Sequence, residues 1–149
     1  MELAVTLPFL LVVIGGIVDF GFLFQRYEVV TNAAREGARL GSLPGYSATH
    51  VRLRVRDYVK NGLGLSTAAL DAAVVNSAAG VTITNPPMTV DPGGGAPSFT
   101  VGTVKVDIVY THQFVMLGPI MRLINANWGN SFTLRATSQM RLEPGAGAS

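Results

Sequence analysis

The chain opens on an apolar run. Leu3 to Phe24 is hydrophobic nearly all round, broken by Thr6, Pro8, the pair Gly15 and Gly16, and one charge, Asp19. As a helix these 22 residues extend ~33 Å, about one hydrocarbon core. The run predicts a retained membrane span rather than a cleaved secretory signal, which needs a positive stretch ahead of the apolar one. An ionised Asp in lipid costs roughly 2.5 to 3.5 kcal/mol even on insertion scales. Asp19 is therefore expected either to reach the interface or to meet a partner on another subunit. Pro8 removes one helix hydrogen bond, which lipid tolerates near a helix end or against protein.

Past the span the period becomes that of an amphipathic helix. Val30, Ala33, Ala34, Gly37, Ala38 and Gly41 recur at spacings of three and four, with Glu28, Asn32, Arg35 and Arg39 opposite. One helix from Glu2 to Leu40, ~58 Å long, is predicted. Its small-residue stripe lets helix backbones approach closely, as Gly37-xxx-Gly41 allows. The partner is either the chain's own domain or a neighbouring subunit.

Pro44 and Gly45 end that helix, and Ser47 or Thr49 is placed to cap a second one reaching about Asn61. Val51, Val55, Tyr58 and Val59 make its apolar face, while Arg52, Arg56 and Lys60 line the other side. Val51 to Arg56 also alternates as a strand would, but the pattern continues through Lys60 only as a helix. The three cations form either a solvated face or a contact for anionic headgroups or an acidic partner, worth about 1 kcal/mol each near an anionic surface. Asn61 to Gly64 reads as a stop and Ser66 to Val75 as a short helical turn.

From Val81 the period is two, the mark of strands. Val104, Val106, Ile108, Tyr110, His112 and Phe114 share one face, with Thr103, Lys105, Asp107, Thr111 and Gln113 on the other. Ser131 to Leu142 repeats the alternation, placing Phe132, Leu134, Ala136, Met140 and Leu142 inward. Val81 to Thr84, with Met88 and Val90, supplies an edge strand kinked at Pro86 and Pro87. Residues 91–98, DPGGGAPS, form a hairpin loop and lack the Lys-Ser/Thr tail of a phosphate loop. Met116 to Asn127, containing Pro119, gives a short helix whose apolar members cap the sheet, and the closing EPGAGAS reads as a frayed tail. The expected fold is α+β: a long N-terminal helix, half span and half extramembrane, then a short helix and a small antiparallel sheet head. The corresponding division is 1–41 for the membrane and assembly helix and 42–149 for the head.

Composition narrows the function. At 149 residues the chain can bury one sizeable core. Hydrophobic residues make up 48% and charged residues 13%, with mean hydropathy +0.37, which argues against disorder. The absence of cysteine excludes disulfides, thiolate metal sites and cysteine nucleophiles. A net charge of +2 gives no basic stripe, so no nucleic-acid partner is expected. His50 and His112 lack ligand-spaced partners, so no metal is expected. Asp57, Asp71, Asp91 and Asp107 are scattered and no G-x-S-x-G segment occurs, so no catalytic residues, cofactor or enzymatic activity are expected.

ELAVTLPFLLVVIGGIVDFG followed by NAAREGAR resembles TadE-like pilin proteins of the tight adherence (Flp) pilus system, which share the general type IV pilin plan. The matching elements are Glu2 opening the apolar helix, Pro8, Gly16 to Gly21, and Asn32 to Arg39. The resemblance implies a prepilin cut shortly before the Glu, storage in the membrane, and extraction into or beneath a filament by an assembly ATPase. It implies other pilin subunits, inner-membrane assembly machinery and membrane lipid as partners. It also implies that Glu2 offsets a neighbour's amino group.

The family pattern places the head outside the cytoplasm and favours a minor subunit over the bulk one. Counting positive charges, with Arg26, Arg35 and Arg39 after the span and none before it, points to the opposite side. Residues expected to carry assembly are Glu2, Pro8, Gly15, Gly16, Asp19, Gly21, Ala34, Gly37, Ala38 and Gly41, with Glu2→Ala or Gly37→Leu expected to impair assembly without unfolding the head. A monomeric membrane-anchored binding module, using a sheet edge or the basic face of the second helix, is the alternative.

Overall fold

The computed structural model describes residues 2–73, 80–124 and 130–144. Three sequence expectations run partly outside them: the ends of the Ser66–Val75 turn and of the Met116–Asn127 helix, and most of the tail. Helix α1 is continuous over Glu2–Gly41 and keeps Pro8 inside it. Helix α2 (Ala48–Leu63) starts at the Ser47 cap, where His50 closes a capping box, and stops at Gly64 in the left-handed conformation, φ 60°. Helix α3 spans Thr67–Ala73 and helix α4 spans Leu117–Ile124.

Strands β1 (Val81–Thr84) and β2 (Pro87–Val90) both pair antiparallel with β3 (Phe99–Gln113). Val81 faces Ile108 and Pro87 faces Gly102 in one unbroken register. The two are therefore a single edge strand interrupted at Asn85 and Pro86, where proline has no N–H to give the ladder. The Thr103 hydroxyl donates to the Pro86 carbonyl at that break. This explains why Thr103, expected on the outer face, is buried. Strand β4 (Ser131–Arg141) pairs antiparallel along the other edge of β3, from Thr103–Arg141 to Gln113–Ser131.

The core lies between the sheet and the second half of α1, with α2 alongside. Val30, Ala33, Ala34 and Ala38 of α1 meet Val51, Val55 and Val59 of α2 and Val104, Val106, Ile108, Tyr110, Leu134 and Ala136 of the sheet. The approach is close because the helix presents small residues. A Cβ on Gly37 would stand 2.5 Å from Val55 Cγ2, one on Gly41 3.0 Å from Val104 Cγ2, and one on Gly62 2.7 Å from Val29 Cγ1. The small-residue stripe is thus filled by the chain's own head. Gly37→Leu cannot spare the head as expected, because the side chain would have to displace Val55.

One inward assignment on β4 also changes. Phe132 pairs with His112 near the end of the sheet, and it is half-exposed rather than covered.

Candidate anchoring and assembly site

The exposure of α1 divides it in two. Thr6 to Ile14 is almost wholly exposed, including Leu7, Phe9, Leu10, Leu11, Val13 and Ile14, and exposed apolar side chains continue through Ile17, Phe20, Phe22 and Phe24. This helix is long and apolar enough to cross a membrane. Contact with the head begins at Gly15, where a Cβ would lie 3.3 Å from Met116 Cβ.

Asp19 is fully buried. Its carboxylate accepts the backbone N–H groups of Val115 at 3.0 Å, Met116 at 3.0 Å and Leu117 at 2.6 Å. These are the amides at the start of α4, the end of a helix where donors lack intrahelical partners and the dipole favours an anion. From the sequence, Asp19 is either an interfacial carboxylate or one paired with another subunit. The geometry supplies a third, a partner 96 to 98 residues away in the same chain.

Two turns further along α1, Arg26 donates to the Tyr110 hydroxyl at 3.1 Å and lies 6.0 Å from that ring's centre. Burial raises the Tyr110 phenol above its usual range, with Arg26 opposing. His112, fully buried and edge-on to Phe114, has no hydrogen-bond partner for either ring nitrogen among the described residues. Burial and then the Arg26 charge push its pKa down, while Asp19 pulls the other way. Sequence spacing did not single out Arg26 or Tyr110, because their pairing joins residues 84 positions apart.

A prediction follows from His112. Its folded pKa lies below the unfolded value of about 6.5, so between the two the unfolded chain holds more protons. Stability is therefore present above about pH 6.5 and lost as pH falls below it. Thermal unfolding in detergent from pH 8 to 5 should show this decline, and His112→Phe should flatten it below pH 6.5. An unchanged slope in the variant would remove His112 as the cause.

The other expected site residues divide by environment. Gly16 and Gly21 are open, with nothing among the described residues within 4 Å of an added Cβ, and Pro8 is exposed. Ala34 and Ala38 are fully buried, and Gly37 and Gly41 pack on α2 and β3, so these four face the head. Glu2 opens α1, but its side chain falls outside what the structure describes. On α2, Arg56 pairs with Asp71, Lys60 donates to Thr67 at 3.2 Å and Arg52 to the Val81 carbonyl at 3.4 Å. The three cations therefore tie α2 to α3 and β1. Glu36 joins α1 to α2 through Arg54 at 3.2 Å and also binds Arg39, whose hydrogen bond is the first cause of its lowered pKa.

In this architecture one helix is shared between an apolar rod and a small α+β head. The family model for TadE-like protein matches residues 1–39, so the chain is similar to that family over its N-terminal helix. Comparison with curated proteins and with solved structures gives no significant match. The TadE-like family is pilus-associated and structural rather than catalytic.

Proposed function

We propose that this chain is a pilin-like structural subunit, a minor one, of a tight adherence pilus. It is held in the bacterial inner membrane by the first half of α1, with its head outside the cytoplasm, and joins other subunits at or beneath the filament through that same half. It performs no catalysis. The observation that carries the reading is the division of α1: one half fills the head's core, and the other leaves an apolar face with two open glycines, Gly16 and Gly21. Such a face fits lipid before assembly and neighbouring helices after it. The TadE-like match over residues 1–39 supports the choice of pilus.

The test is Gly21→Leu. Because that position touches no other part of the described head, the unfolding midpoint should stay unchanged. Crosslinking to other subunits, or recovery in sheared filaments, should fall roughly tenfold or more if another helix packs there. Undiminished crosslinking, with the anchor also replaceable by an unrelated apolar helix, would end the proposal in favour of a monomeric anchored module.

A further inference from the structure

The depth at which the head meets α1 does not agree with a head that stays in water. The apolar run ends at Phe24, yet α4 is fastened to α1 at Asp19 and Gly15. Those positions lie ~7.5 and ~13.5 Å back along the helix from Phe24. If the hydrocarbon stopped below Gly15, the apolar segment from Leu3 to Ile14 would extend only ~18 Å of a ~30 Å core. Ile17, Phe20 and Phe24, which are 69%, 50% and 66% exposed, would then stand in water.

The end of the head beside these residues is itself suited to lipid. Val115, Met116 and Phe132 are 57%, 50% and 50% exposed. The stretch from Gln113 to Ile124 has no acidic residue and a single cation, Arg122, which is exposed and carries the charge that anionic headgroups accept.

Backbone chemistry points the same way. A helix end can enter a bilayer only when its free amides are satisfied by protein. At α4 the Asp19 carboxylate takes those of Val115, Met116 and Leu117, the Phe114 amide donates to the Asn130 carbonyl at 3.1 Å, and Pro119 has no N–H, which accounts for every position from 114 to 119 except Gly118, packed against the Asn130 side chain. The same bonds give a carboxylate inside an apolar span the donors it needs.

We propose that α4, with Val115, Met116 and Phe132, is a second membrane contact, seated among phospholipid chains of one leaflet beside α1. This rests on the membrane anchoring argued above. The occupant is lipid because the patch is continuous with the exposed apolar face of the span and complements headgroups at Arg122.

The cysteine-free sequence allows single labels on the full chain in liposomes of phosphatidylethanolamine and phosphatidylglycerol. Nitroxides would be placed at Leu10→Cys in the span, at Val115→Cys, at Phe132→Cys as a second reporter, and at Met88→Cys on β2. The expected result is that the labels at 10, 115 and 132 relax with lipid-dissolved oxygen, and the label at 88 with aqueous nickel chelate. Position 10 in lipid with 115 and 132 open to the chelate would overturn the second contact and leave the anchor standing. Protection of 115 and 132 from both reagents would also overturn it, by showing protein there. Position 10 open to the chelate would overturn the anchor as well.

Discussion

Asp19→Ala is expected to release α4 from α1 and to destabilise the head by roughly 3 kcal/mol or more. The buried carboxylate accepts three backbone amides, and a buried donor left without its acceptor costs ~1 to 3 kcal/mol. Alanine supplies no acceptor, and Gly15 then loses the neighbour that Met116 provides. Asp19→Asn retains one acceptor oxygen but turns an amide NH2 toward other N–H groups, so a smaller loss is expected. The measurement is thermal unfolding in detergent together with hydrogen exchange at residues 115–117. Unchanged protection of those amides in Asp19→Ala would show that the clamp contributes nothing.

The second large effect lies at the waist of the head. Gly37→Ala sets a Cβ 2.5 Å from Val55 Cγ2 and 3.4 Å from Val106 Cγ1. Overpacking of this kind costs ~1 to 3 kcal/mol, against a gain of about 1 kcal/mol in helix propensity. Gly37→Leu adds three further carbons at the same place and is expected to reach or exceed the top of that range, a large share of ordinary domain stability. Because the clash is with one named side chain, Val55→Ala should recover part of the loss. The double variant should be more stable than the two single losses added together. Strict additivity in denaturant titrations would show that Gly37 and Val55 do not compete for the same space.

What could be read from the sequence was what repeats locally. The alternation from Val104 to His112 and the three-four spacing from Val30 to Gly41 are set by the geometry of strand and helix, so each buried face emerged with its element. The kink expected at Pro86 and Pro87 emerged in part, because proline's missing N–H is a property of one residue, although the break falls at Asn85 and Pro86 and Pro87 already belongs to β2. What stayed hidden depends on which elements come together. No spacing joins Asp19 to Leu117 or Arg26 to Tyr110. The stripe on α1 was compatible with its own head or with a neighbour, and only the fold, through Val55 and Val104, chooses between them. Phe132 follows the right alternation but lies opposite His112 where the sheet runs out, so period alone could not give its exposure. Arg52, Arg56 and Lys60 looked like a free cationic row, yet each finds a group on α3 or β1 that sequence order does not place beside α2.

The lengthwise lay of α1 on the sheet also has a mechanical side. Asp19 meets residues 115–117, Arg26 meets Tyr110, and Gly37 and Gly41 meet Val106 and Val104, so helix and strand run in opposite directions along a shared seam. A tug along the rod loads that seam in shear, as in a lap joint. The clamp at Asp19, the Arg26 bond and the packed glycines must then yield together rather than open one after another. A chain pulled along its helix axis would bring its head along intact.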